Sequence, residues 1–307
     1  MTHAEFARLA AAHGFSRVYF LAPGKYALGE NPHRLCADVP AEYPFASSVC
    51  CLVYPYSPFT ADERIPAYYL ASNKAYFGMK SLLAELAALG IRAEKVEIPL
   101  KQALEEAGIG VELKTSLRAI PPYGTRVVLM TVAVGGIPPL GYDERISFPC
   151  AACRACEKAC PFGAPGENGL DLARCMRLRM ETADHEDGIR EKQITFIGCE
   201  ICQYACPMNA KLEKAVPGEE ASAAFDIHRL IDGETKAARA LVGKNMTSGG
   251  KLTAEALAFA ARDGLLPEEE LREAILRADD SPFSAVRSAA RYAAVKILEK
   301  HKEAEDL

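Results

Sequence analysis

Apolar positions recur along the first half of the chain at two different spacings. Residues 3–13, 75–89 and 99–107 carry them every three or four positions, which predicts helices. Residues 18–21, 47–53, 96–98 and 127–134 are short apolar runs rich in β-branched residues, which predicts strands. Local signals set the ends. Thr2 and Glu5 form a capping-box pattern ahead of the first helix, Gly90 closes the second, and Pro23-Gly24 and Pro55 stop the first two strands. The run at 127–134 has no polar alternation, as expected of a strand covered on both faces. Alternating strands and helices predict an α/β domain over residues 1–147. Beyond Lys251 only helical spacing remains, over 253–262, 267–278 and 282–300, with Asp279, Asp280 and Ser281 between the last two. Short antiparallel helices of this kind predict an α-helical, HEAT-like tail over 216–307.

Composition changes this picture little. The 307 residues are 50% hydrophobic and 25% charged, an ordinary globular balance for two or three domains. A net charge of -5 argues against a nucleic-acid coat or a membrane-surface binder. Glu5 and Arg8 interrupt the opening turns, and the longest uncharged run, 43–61, contains Pro44, Pro55 and Pro58. Neither reads as a secretory signal or a transmembrane helix, so a cytoplasmic, reducing location is expected. Nucleotide fingerprints fail on spacing. Gly108-Ile109-Gly110 lacks the third glycine of a dinucleotide loop, and Gly243-Lys244 and Gly249-Gly250-Lys251 do not space as a phosphate loop. Asp226-Ile227-His228 is followed by Ile231 where a D-x-H-x-x-G cobalamin motif needs glycine, so no histidine ligand to cobalt is expected.

The cysteines do change it. There are 11, and an odd number rules out a fully paired disulfide scaffold. Eight fall within 148–215, the middle part of the chain. Cys150, Cys153, Cys156 and Cys160, followed by Pro161, have the C-x2-C-x2-C-x3-C-P rhythm of a bacterial ferredoxin. Tight turns at that interval aim three thiolates at one cubane, and the fourth serves its neighbour. Cys175, Cys199, Cys202 and Cys206, followed by Pro207, repeat the motif with its first cysteine displaced upstream across 23 residues. Cross-ligation assigns Cys150, Cys153, Cys156 and Cys206 to cluster A. Cys160, Cys175, Cys199 and Cys202 then form cluster B. Two zinc sites could use the same number of thiolates, but paired Cys-Pro endings and the x2-x2-x3 rhythm favour two [4Fe–4S] clusters. Cys36, Cys50 and Cys51 have no ligand-spaced partner and read as core residues.

The segments CAACRACEKACPFGA, LDLARCMRLRMETA and IGCEICQYACPMNA resemble the epoxyqueuosine reductases, cobalamin-dependent iron–sulfur enzymes of tRNA queuosine synthesis, and their reductive-dehalogenase relatives. Weaker similarity extends to LAAAHGFSRVYFLAP, SSVCCLVYPYSPF and the helical tail. The resemblance implies base-off cobalamin between the first domain and the clusters, with electrons from a flavodoxin- or ferredoxin-type donor. It also implies a carboxylic acid that donates a proton to a small-molecule or modified-nucleoside substrate. Glu97 is the nearest carboxylate to the position where that acid is expected, shortly before Pro99. Gly110 and Lys114 match the family's glycine–lysine segment, whereas its tryptophan has no counterpart in a chain without tryptophan. From Lys251 onward nine Lys and Arg face twelve Asp and Glu, so the tail lacks the basic excess that tRNA binding uses. A ferredoxin-type electron-transfer protein with neither cobalamin nor a substrate of its own is the alternative.

Overall fold

Thr2 and Glu5 do close a capping box, and the first helix, α1, runs His3–Ala12. The computed structural model describes residues 1–31, 33–60, 64–180 and 186–305. The strands follow the apolar runs closely: β1 is Arg17–Leu21, β2 is Ser48–Pro55 and β4 is Val127–Val134. The third strand, β3, is Ala93–Lys95, just before the expected 96–98. Val96 still donates its N–H to the Thr131 carbonyl and accepts from the Thr131 hydroxyl.

These strands form one sheet in the order β1-β2-β4-β3, and every pairing in it is antiparallel. The alternation of strands and helices therefore does not become parallel crossovers. The helices instead pad the faces of an antiparallel sheet. Both faces are buried, as the continuous apolar run in β4 requires. Adjacent cysteines on β2 point to opposite sides. Cys51 packs with Val49, Val53 and Ala133, while Cys50 packs with Leu52, Val132 and α1 residues Phe6 and Ala10. Burial pushes the Cys50 thiol up to about 12 and raises that of Cys51 as well, and both thiols pack among core side chains.

The helix expected at 75–89 is longer. Here α2 spans Ala67–Ala88, with Leu89 and then Gly90 at φ 76° ending it. A second helix on the sheet, α3, covers Leu100–Glu106. Just after it the chain turns through Gly110, at φ 65°, where an added Cβ would lie 2.1 Å from the Ala119 carbonyl oxygen. A backbone atom cannot swing away. Gly110→Ala is therefore expected to destabilise the fold by more than about 1 kcal/mol, read as a lowered denaturation midpoint.

Short helices carry the cysteine segment, and three longer ones close the chain: α4 Lys251–Asp263, α5 Glu268–Asp279 and α6 Ser284–Glu305. They pack through small residues, Ala254, Ala260, Ala289 and Ala293 among them, which lets the helices approach closely. The middle segment docks on this tail through buried polar groups. Gln193 donates to Glu255, Lys251 donates to the Met180 carbonyl, and Arg262 donates to the carbonyls of Arg190 and Gln193. Among the described residues no helix is long and apolar enough to cross a membrane.

Candidate iron–sulfur centre and its cavity

Cys150 opens a short helix, Cys150–Cys153, and Arg154 follows in the left-handed region at φ 53°. That reversal starts the next helix, Ala155–Ala159, so Cys153 and Cys156 lie on either side of a sharp corner. Cys160 then takes extended angles ahead of Pro161, as a residue before proline should. The second half repeats the device. Gly198 sits at φ 74°, the helix Ile201–Tyr204 follows, and Cys206 is extended before Pro207.

The thiols fall into two groups. Burial raises the Cys156 thiol, and the charge of Cys150 and that of Cys206 raise it further. Cys206 is raised by burial and then by Cys153 and Cys150. Cys199 is pushed up to about 12 by burial, with Cys175 and Cys160 adding to the rise. Cys202, also about 12, feels burial, Cys199, Cys175, Cys156 and Cys160. Cys150, Cys153, Cys156 and Cys206 are thus neighbours, and so are Cys160, Cys175, Cys199 and Cys202. Cys156 and Cys202 face one another across the boundary.

This donor set fits iron–sulfur clusters. Eight partly or fully buried cysteines in two compact groups need a cationic group between them to ligate as thiolates, and clustered irons supply it. No three His, Cys, Asp or Glu side chains among the described residues close on a single ion. Thiolates that each take a different iron of a cubane stand farther apart than four converging on one zinc. Backbone donors already point at the sulfurs, from Lys114 N–H to Cys150 Sγ and from Ala164 N–H to Cys160 Sγ, each at 3.4 Å.

A cavity of about 420 Å³ opens beside the second group, within the range of small-molecule and cofactor sites. Cys160, Cys175, Cys199 and Cys202 all line it. Opposite them stand Tyr68 and Tyr69 at the start of α2, the loop residues Thr115, Ser116 and Thr125, and Val127 and Leu129 of β4. The third wall comes from the stretch between Cys160 and Cys199, through Pro165, Leu170, Met176 and Leu178. No histidine is among these residues, and Glu200 is the one carboxylate. None of Cys150, Cys153, Cys156 and Cys206 lines the cavity.

Sequence reasoning did not single out Glu200, yet it joins the parts of the site. It is 4% exposed and forms an ion pair with Arg126, which is 1% exposed. Its other oxygen accepts the Tyr68 N–H at 2.9 Å, satisfying one of the orphan donors at the start of α2. The Arg126 guanidinium lies 4.5 Å from the Tyr204 ring centroid and 5.5 Å from that of Tyr56. Thr125 and Tyr56 donate to the Gln203 side-chain oxygen, and the Asn209 amide donates to Thr125 Oγ1. Glu97 lies elsewhere. Its side chain is 55% exposed, paired with Lys95 at 2.5 Å, and outside the cavity lining.

Residues 149–209 match the 4Fe-4S double cluster binding domain. In class, then, this is a double-cluster iron–sulfur protein. More particularly, it is similar to the epoxyqueuosine reductases, in sequence over about a third of the chain and in fold along nearly its whole length. The Bacillus subtilis (strain 168) enzyme is 33% identical over 118 residues, 37% of this chain. That match spans only 30% of the relative's own length. The structure of epoxyqueuosine reductase from Streptococcus thermophilus superposes with a TM-score of 0.72 at 16% identity, covering 96% of this chain and 90% of that one. An epoxyqueuosine reductase crystallised with a tRNA-Tyr epoxyqueuosine-modified stem loop gives 0.70 at 19% identity, covering 96% and 89%.

Proposed function

We propose that the chain is an iron–sulfur reductase of the epoxyqueuosine reductase type, with two [4Fe–4S] clusters and a cobalamin, acting on a modified-nucleoside or similar small substrate. Three parts carry it: an α/β cofactor and substrate domain over 1–147, a ferredoxin-like domain over 148–215, and a HEAT-like tail over 216–307. Cys150, Cys153, Cys156 and Cys206 would hold cluster A, and Cys160, Cys175, Cys199 and Cys202 cluster B. Bound there, the clusters supply low-potential one-electron transfer, and a corrin in the cavity supplies the reductive chemistry. The observation that carries this reading is the shared cavity, since all four sulfurs of the second set face the same space as Tyr68, Thr115 and Val127.

The chain's own residues then have definite roles. Leu129, Leu170, Met176 and Leu178 keep water from the reacting side of the cavity, which strengthens electrostatic interactions inside it. Tyr68, Thr115 and Ser116 offer hydroxyl groups on the opposite wall, suited to the amide and hydroxyl periphery of such ligands. Glu200 is held by Arg126 and the Tyr68 amide, so its part is to fix the wall rather than to donate a proton.

Protein purified without oxygen should contain about eight irons and eight sulfides per chain. Added reduced cobalamin should give a base-off spectrum. Iron and sulfide without any cobalamin response would instead identify an electron-transfer protein lacking the corrin.

A further inference from the structure

Lys114 reaches from the N-terminal sheet region into the first group of cysteines. Its backbone N–H donates to Cys150 Sγ at 3.4 Å, and its ammonium donates to the Ala151 carbonyl at 3.1 Å. The same ammonium is ion-paired with Glu157, the residue after Cys156, with the two side chains only 8% and 11% exposed. Arg154 holds the other Glu157 oxygen at 2.9 Å. Two cations therefore share one carboxylate beside Cys150 and Cys156. The second group is not bare either: Ala164 N–H donates to Cys160 Sγ, and Lys101, Arg118 and Arg177 line the cavity beside it.

We propose that Lys114 raises the reduction potential of cluster A, by setting a shielded ammonium and a backbone donor against the Cys150–Cys156 side of that site. Reduction adds one electron from an external donor to each oxidised cluster, with no proton or leaving group exchanged, so each reduced cluster carries one more negative charge. A fixed cation next to one cluster favours that added charge, and hydrogen bonds to sulfur do the same. The effect is strong where water is excluded.

This inference rests on the two-cluster reading, and the experiment separates the two. Anaerobic full-length protein is first assayed for iron and sulfide; fewer than two clusters after reconstitution would overturn the cluster reading before any potential is measured. A dithionite titration followed by electron paramagnetic resonance should then resolve two one-electron steps. Lys114→Met should lower one step and leave the other in place, while Lys114→Arg should keep that step near its wild-type value. Glu157→Gln, which frees both cations, should move that same step in the opposite direction. A merely structural role would not give opposite signs. The proposal is overturned if both potentials stay at their wild-type values in Lys114→Met and Glu157→Gln, or if the two variants shift the same step the same way.

Discussion

Cys175→Ala is expected to halve the iron content, from about eight to about four per chain. Cys175 is the displaced member of the second set, and its place there rests on a tertiary turn rather than on close sequence spacing. It precedes the helix Met176–Arg179 with extended backbone angles, and its charge is felt by Cys199 and Cys202. Removing it leaves three thiolates for four irons, whereas Cys150, Cys153, Cys156 and Cys206 keep a complete set. Cys36→Ser is the control. Cys36 lies in the sheet core, its thiol pushed up to about 11 by burial and by its hydrogen bond with Glu42, and its loss should leave all the iron in place. Iron and sulfide analysis checks both variants. Retention of eight irons by Cys175→Ala would remove that residue from the ligand set.

The second large effect concerns stability. Arg126→Met should cost about 3–5 kcal/mol, because it strands the Glu200 carboxylate in a buried site without its cation. The loss should appear as a lowered unfolding midpoint in anaerobic denaturation. Glu200→Gln alone should also destabilise, since it leaves the guanidinium unpaired between the Tyr56 and Tyr204 rings. Combining Arg126→Met with Glu200→Gln should recover much of the loss, as removal of both members of a buried pair often does. A double variant as unstable as the sum of the single ones would show that the two residues act independently.

The secondary structure was legible because it is written locally. Period, caps and stop residues located β4 to the residue and the three C-terminal helices to within a few residues. Strand direction was not written that way. The same succession of strands and helices serves a parallel or an antiparallel sheet, and only the pairing of β2 with β4 across the chain decides. The start of α2 was hidden for a similar reason. Residues 67–74 mix Ala67, Leu70 and Ala71 with two tyrosines and three polar side chains, and their first turn is capped by Glu200, 132 residues away from Tyr68.

The double-cluster segment was legible because iron–sulfur ligation demands fixed local spacing, and residues 149–209 match such a domain. The cavity was not, since its walls come from α2, the loops before β4 and the stretch after Cys160. Arg126 and Glu200 are 74 positions apart, and neither carries a motif. The one available hint was a carboxylate placed between two ligand cysteines, Cys199 and Cys202, where an acid next to an anionic cluster needs a partner. The expectation for Glu97 came from resemblance in register, and the fold puts that side chain on an exposed strand end instead of the cavity.

Glu200 also decides which preparations can be tested for the second cofactor. It sits between Cys199 and Cys202 and at the same time caps the helix that presents Tyr68 and Tyr69. If the iron is lost, the cysteines flanking Glu200 lose their fixed point, and only Arg126 and the Tyr68 N–H still hold that carboxylate. Metal-free protein is therefore expected to offer a looser pocket. A negative cobalamin titration on such material would report the missing iron, so the corrin question can be put only to protein that still holds both clusters.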